Sequence, residues 1–136
     1  MDSQFGFEVQ LNLPYEQAIE AVTAALKQEG FGVLTRIDVK ATMKEKLGVD
    51  FRPYAILGAC NPPLAHRSLE VDPTIGLMLP CNVTVEAAPA GGSIVRIANP
   101  EAMMQMGTTG DNPELAQVAQ QAKQKLQRVA QSLEQG

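Results

Sequence analysis

The chain has no tryptophan, one histidine and two cysteines in 136 residues, and aromatic side chains make up only 4% of it. One histidine excludes a multi-histidine metal site. Two cysteines exclude both a two-CxxC zinc site and a disulfide-rich scaffold. Eleven basic against fifteen acidic residues leave a formal charge of −4, the wrong sign for a phosphate-backbone binder. So few aromatics also argue against stacking on bases, and no nucleic-acid partner is expected. Long apolar runs are missing as well. The longest of interest, Thr74 to Cys81, falls far short of the roughly 20 residues that cross a bilayer, so no membrane partner is expected. There is no GxSxG, HExxH or GxGxxG, and a Ser/His/Asp triad would have to use His66.

What is present is a globular composition, 45% hydrophobic and 19% charged. A chain of this length buries roughly two-thirds of its unfolded surface, enough for one core. Residues 1–136 therefore read as a single domain. Met1 to Gln10 lacks a basic region followed by an apolar stretch, so it does not read as a signal peptide. A cytoplasmic protein with reduced thiols is the expectation.

Hydrophobic periodicity sets the elements. Phe5, Phe7, Val9 and Leu11 alternate with polar or small residues, as in a half-buried strand. From Pro14 the period becomes helical, with Tyr15, Ala18, Ile19, Val22 and Leu26 on one face. Gly30 followed by Phe31 suits a left-handed cap with an apolar residue folding back. Val33 to Val39 reads as a strand. The spacing of Thr42 and Glu45 predicts a short capped helix over Met43–Leu47, closed by Gly48. Pro53 to Ala59 reads as a buried central strand. Asn61 and Pro62 supply an N-cap and first helical residue for a helix toward Leu69, broken at Asp72 and Pro73. Leu79 to Ala87 and Ser93 to Ala98 flank Gly91 and Gly92 as an antiparallel hairpin. Asp111 and Glu114 have capping-box spacing ahead of a long helix with Leu115, Val118, Ala119, Ala122, Leu126, Val129 and Leu133 as its apolar stripe. The order β-α-β-α-β-α-β-β-α predicts an α+β fold: a curved, mainly antiparallel sheet with two long helices on one face.

Candidate chemistry concentrates in Leu57 to Val83. Cys60 precedes Asn61 and Pro62; Cys81 follows Pro80 and precedes Asn82. If the two strands involved are antiparallel neighbours, both thiols lie at one end of the sheet. Cys60 also stands just ahead of a helix N-terminus, where the dipole favours a thiolate. Such a pair would suit disulfide exchange, sulfur handling or a soft metal ion held by Cys60 and Cys81. His66, one turn into the helix, is a candidate base or third ligand. Asn61 and Asn82 flank the thiols. Against this stands the habit of cysteine to serve as a small buried core residue.

Met103, Met104 and Met106 are soft ligands by chemistry and gap-fillers by habit. Gly107 to Gly110 (GTTG) precede the last helix without a phosphate-loop lysine. Asp50, Glu70 and Asp72 read as turn and surface carboxylates, leaving no motif behind a hydrolase or transferase.

Residues 30–104 resemble the domain of unknown function family numbered 302. The stretch from Gly30 to Glu86, with CNP at Cys60–Pro62, DP at Asp72–Pro73 and GLMLPCNV at Gly76–Val83, carries the resemblance, together with NPEAMM at Asn99–Met104. The resemblance implies a TATA-binding-protein-like α+β fold and no assigned activity; fold alone does not imply DNA binding. Cys60 and Cys81 lie within its marks, and His66 does not. Two readings follow. One is a thiol-based redox, sulfur-handling or soft-metal protein; the other is a non-catalytic small-ligand-binding or homodimeric assembly module with structural cysteines.

Overall fold

A computed structural model describes residues 5–104 and 111–135. Strand β1 (Gly6–Leu11) leads into helix α1 (Tyr15–Gln28), strand β2 (Gly32–Asp38), helix α2 (Val39–Leu47), strand β3 (Tyr54–Cys60) and helix α3 (Pro62–Val71). A 3-10 turn over Pro73–Met78 precedes the hairpin of β4 (Cys81–Ala87) and β5 (Ser93–Ala98), followed by a short helix α4 (Pro100–Met104) and the long α5 (Pro113–Gln135). The strands form one antiparallel sheet in the order β1-β5-β4-β3-β2. The α+β class and the antiparallel sheet are as expected.

Alternation along the strands decides which face is covered. Val9, Leu57, Ala59, Val83, Val85, Val95 and Ile97 point to one side. There they pack against Ala18, Ile19, Val22 and Leu26 of α1 and Leu126, Val129 and Leu133 of α5. Both long helices thus share a face. The opposite face carries Glu8, Tyr54, Ile56, Thr84, Ile94 and Arg96.

Caps fix the helix ends. At the end of α1, Gly30 has φ +84°, the Gly30 N–H reaches Lys27 O at 3.0 Å and the Phe31 N–H reaches Leu26 O at 2.9 Å. That is the expected left-handed cap, and Phe31 is buried beneath it.

Two caps and one additional helix differ from the periodicity. Helix α2 starts at Val39 because the Asp38 carboxylate accepts the Ala41 N–H at 2.9 Å, so Asp38 replaces Thr42 as its cap. The Thr42 hydroxyl instead donates to Asp38 O at 2.8 Å. Helix α5 is capped by Asn112, whose Oδ1 accepts the Glu114 and Leu115 N–H groups at 2.9 and 3.2 Å, and not by Asp111. Helix α4 was not anticipated. Its Asn99-Pro100 start repeats the Asn61-Pro62 pattern, with Asn99 Oδ1 accepting the Glu101 N–H at 3.0 Å.

On the face away from α1 and α5, one charge among the described residues is buried. Glu86 is 5% exposed, and its two oxygens accept from Arg52 Nε and Arg96 Nη1. Arg96 Nε also donates to Glu8 at 3.0 Å. Burial alone would raise the Glu86 carboxyl, but the hydrogen bonds from Arg96 and Arg52 outweigh it and hold it below its ordinary value. Its contribution to stability is therefore full above the unfolded glutamate value of about 4.3 and is lost as pH falls through the lower folded value. Glu86→Gln should cost about 1–2 kcal/mol at pH 7, discounted for the half-exposed arginines. Urea titrations at pH 7 and pH 3 should show the gap between wild type and variant closing in acid; an unchanged gap would contradict the assignment.

Candidate functional site

The end of the sheet where β3 finishes and β4 begins is built by two Asn-Pro turns. At the first, Asn61 Oδ1 accepts the Leu64 N–H at 3.3 Å while its Nδ2 donates to Glu29 O at 3.3 Å. The side chain thus starts α3 and ties it to the end of α1. Arg128 of α5 adds a bond from its Nε to Glu29 Oε1 at 2.9 Å, so three helix segments meet at one residue. Asn61 is buried with both its amide oxygen and its amide nitrogen engaged, a structural latch and not a free ligand.

The second turn, Asn99-Pro100, swings α4 under the 3-10 turn. Between them lies a cleft of about 200 Å³, lined chiefly by Leu77, Met78, Leu79, Cys81, Met103 and Met104. Asn82, Ala98 and Pro100 complete its rim. A smaller space of about 50 Å³ shares Leu79, Cys81, Pro100 and Met104 with it and is also lined by Cys60, Phe31 and Leu64. The cleft is a sulfur-lined, apolar space with Asn82 as its one amide.

The two cysteines do not make the expected pair. Strands β3 and β4 are antiparallel neighbours, so the shared sheet end is as anticipated. The register, however, sets Cys81 opposite Ala59, and both face the helices. Cys60 is the next residue along β3 and falls on the other alternation. Both are free thiols, and they are not brought together. Burial pushes the Cys81 thiol up to about 11, with a smaller push from Cys60. That is the opposite of an activated nucleophile.

His66 lies outside the cleft. Its Nε2 is 3.2 Å from Glu70 Oε1 on the exposed side of α3, with three-quarters of its side chain in solvent. Asp72 caps the 3-10 turn through the Thr74 N–H at 3.0 Å, and Asp50 meets Lys44 at the surface. Among the described residues, no three His, Cys, Asp or Glu side chains cluster to hold a metal. Asn82 stands exposed at the cleft rim. Of the methionines, Met103 lines the cleft and Met104 is buried at its floor, while Met106 and Gly107 to Gly110 lie outside the described residues.

The model of the domain of unknown function DUF302 matches residues 7–133, nearly the whole chain. The protein belongs to the DUF302 family. A crystal structure of an uncharacterised conserved DUF302 protein from Bacillus stearothermophilus is similar to it, at 30% identity and a TM-score of 0.84, covering 96% of this chain and 99% of that one. No curated protein matches. Neither match carries the TATA-binding-protein-like relation. The match extends well beyond residues 30–104, taking in β1, α1 and most of α5.

In this DUF302 chain the stretches that carried the resemblance converge. GLMLPCNV supplies one wall of the cleft and NPEAMM the other, while Cys60 and Asn61 of CNP line the smaller space beside it. Leu77, Met78 and Ala98 were not singled out from the sequence. The signal was there in the two marked stretches, but their meeting across 3-10 turn, hairpin and α4 depends on tertiary packing.

Cys81 should resist alkylation by iodoacetamide at pH 7, where a thiol of this kind is about one part in ten thousand thiolate. Mass spectrometry should find Cys81 unmodified in the folded protein and modified in 8 M urea. Rapid labelling in the native state, or a Cys60–Cys81 disulfide after mild oxidation, would contradict the geometry.

Proposed function

We propose that this DUF302 protein is a non-catalytic binding module that takes a small apolar ligand in the cleft between the 3-10 turn and α4. The observation that carries this reading is the cleft itself: about 200 Å³, walled by Leu77, Met78, Leu79, Met103 and Met104. An engineered apolar cavity of about 150 Å³ takes up benzene, so a single ring or short chain is the right size. Thioethers adapt to varied apolar shapes, which suits a binding wall. A redox, sulfur-transfer or soft-metal role loses its geometric basis with the separation of the thiols and of His66. No described helix is long and apolar enough to cross a membrane, and we place the protein's work in the cytoplasm.

Methionine methyl groups report this directly. With 13C-methyl methionine, millimolar toluene should shift the Met78, Met103 and Met104 signals and leave Met43 on α2 unmoved. Ala98→Leu, which fills the rim, should weaken the response at least tenfold. Uniform shifts, or none, would overturn the reading.

One observation favours a second activity, homodimeric assembly. Strand β2 is a sheet edge with nearly every residue exposed, and four large apolar side chains, Leu34, Ile37, Leu47 and Val49, stand out from it and its neighbouring helix and loop. An unpaired edge beside apolar surface is a template for a second copy. Light scattering should give twice the monomer mass for the wild type, and Leu34→Ser with Ile37→Thr should return it to monomer. A wild-type monomer at millimolar concentration would rule this out.

A further inference from the structure

Asn82, Ala98 and Met103 line the cleft and also line a second depression of about 360 Å³ on the sheet face away from α1 and α5. The two spaces share these three residues, and the second adds side-chain polar groups to a mainly apolar lining. The second is bordered by Thr84, Tyr54 and Arg96. Among the described residues, the Asn82 amide, the Thr84 hydroxyl and the Tyr54 hydroxyl have no side-chain hydrogen-bond partner. They are donors and acceptors left open beside an apolar slot, the pattern of a few placed polar groups that orients a ligand.

The charge around them is already balanced. Arg96 is held by Glu86 and Glu8, and Arg52 by Glu86, so two cations face two carboxylates. Of these four groups Glu8 and Arg96 line the depression, so a ligand carboxylate would meet Glu8 and a ligand ammonium would meet Arg96. Neither sign is rewarded, and burying an unpaired charge is costly. An uncharged amide or alcohol can bond to Asn82 and Thr84 without that penalty.

We propose that the ligand is an uncharged amphiphile, its ring or chain in the sulfur-lined cleft and its amide or hydroxyl head on Asn82 and Thr84 at the sheet face. This rests on the binding reading above and names the ligand class and the specificity-determining residue. Asn82 reads the head group, and the wall of Met78 and Met103 accepts the body.

Four probes of one shape test it: toluene, benzyl alcohol, benzamide and benzoate, titrated against the methionine methyl signals. Benzamide and benzyl alcohol should bind about five- to tenfold tighter than toluene, the value of one net hydrogen bond, and benzoate no tighter than toluene. Asn82→Ala should bring benzamide down to the toluene level while toluene itself is unchanged; Thr84→Val should do the same to a smaller degree. Asn82 is exposed, so a circular-dichroism melt should confirm that its variant folds. If toluene binds but the amide gains nothing, or if Asn82→Ala leaves benzamide unaffected, the head-group assignment falls and the apolar reading survives. If benzoate binds best, the charge argument is wrong. If none of the four shifts the site methionines, both readings fall together.

Discussion

Everything in this molecule depends on a sheet that is buried on one side only. The alternation of Leu57, Ala59, Val83 and Val85 against Gly58, Asn82, Thr84 and Glu86 commits one face to α1 and α5 and leaves the other outside that layer. A fully buried aliphatic side chain is worth about 1.5–3 kcal/mol, so the helix-covered face supplies the driving force. A slip of one residue between β3 and β4 would exchange the two sets and expose the core. The same parity places Cys81 inward, parts it from Cys60, and puts Asn82 on the rim facing the open side.

From that constraint the cleft follows. The helical layer covers the middle of the sheet, but at the β3–β4 end it is made of short pieces: the start of α3, the 3-10 turn and α4. Ile75, Met104 and Leu115 pack these pieces onto α5 as a small cluster separate from the main core. Short segments on a narrow cluster cannot fill the space above Cys81 and Ala98, and an apolar recess remains. Asn61 fixes the end of α1 to the start of α3 and lines the smaller space beside that recess. Glu29, receiving Arg128, extends the fixation to α5.

Local chemistry made much of this legible in the sequence. Gly30-Phe31, Asn61-Pro62 and the Phe7, Val9, Leu11 alternation each specify their structure within a few residues, and each is found. The α+β order was readable because its period changes at Pro14, Asn61 and Asn112–Pro113. Less local features were not. Capping signals overlap along the chain: Asp38 and Thr42 both precede helical residues, as do Asp111 and Asn112, and only the final backbone geometry selects one. The cysteine pairing failed for a sharper reason. Sequence places both thiols at one end of the sheet, but a register one residue different decides whether they share a face. The cleft, assembled from stretches about twenty residues apart in sequence, has no local signature beyond the family-marked stretches that line it.

The most direct measurement of the central claim is a crystal of the protein under xenon pressure. Xenon enters apolar cavities and has no use for polar ones. Anomalous density should appear between Leu77, Met78 and Met103, at the junction of the 3-10 turn and α4. Ordered water filling that space, with xenon absent or lodged only elsewhere, would contradict the account.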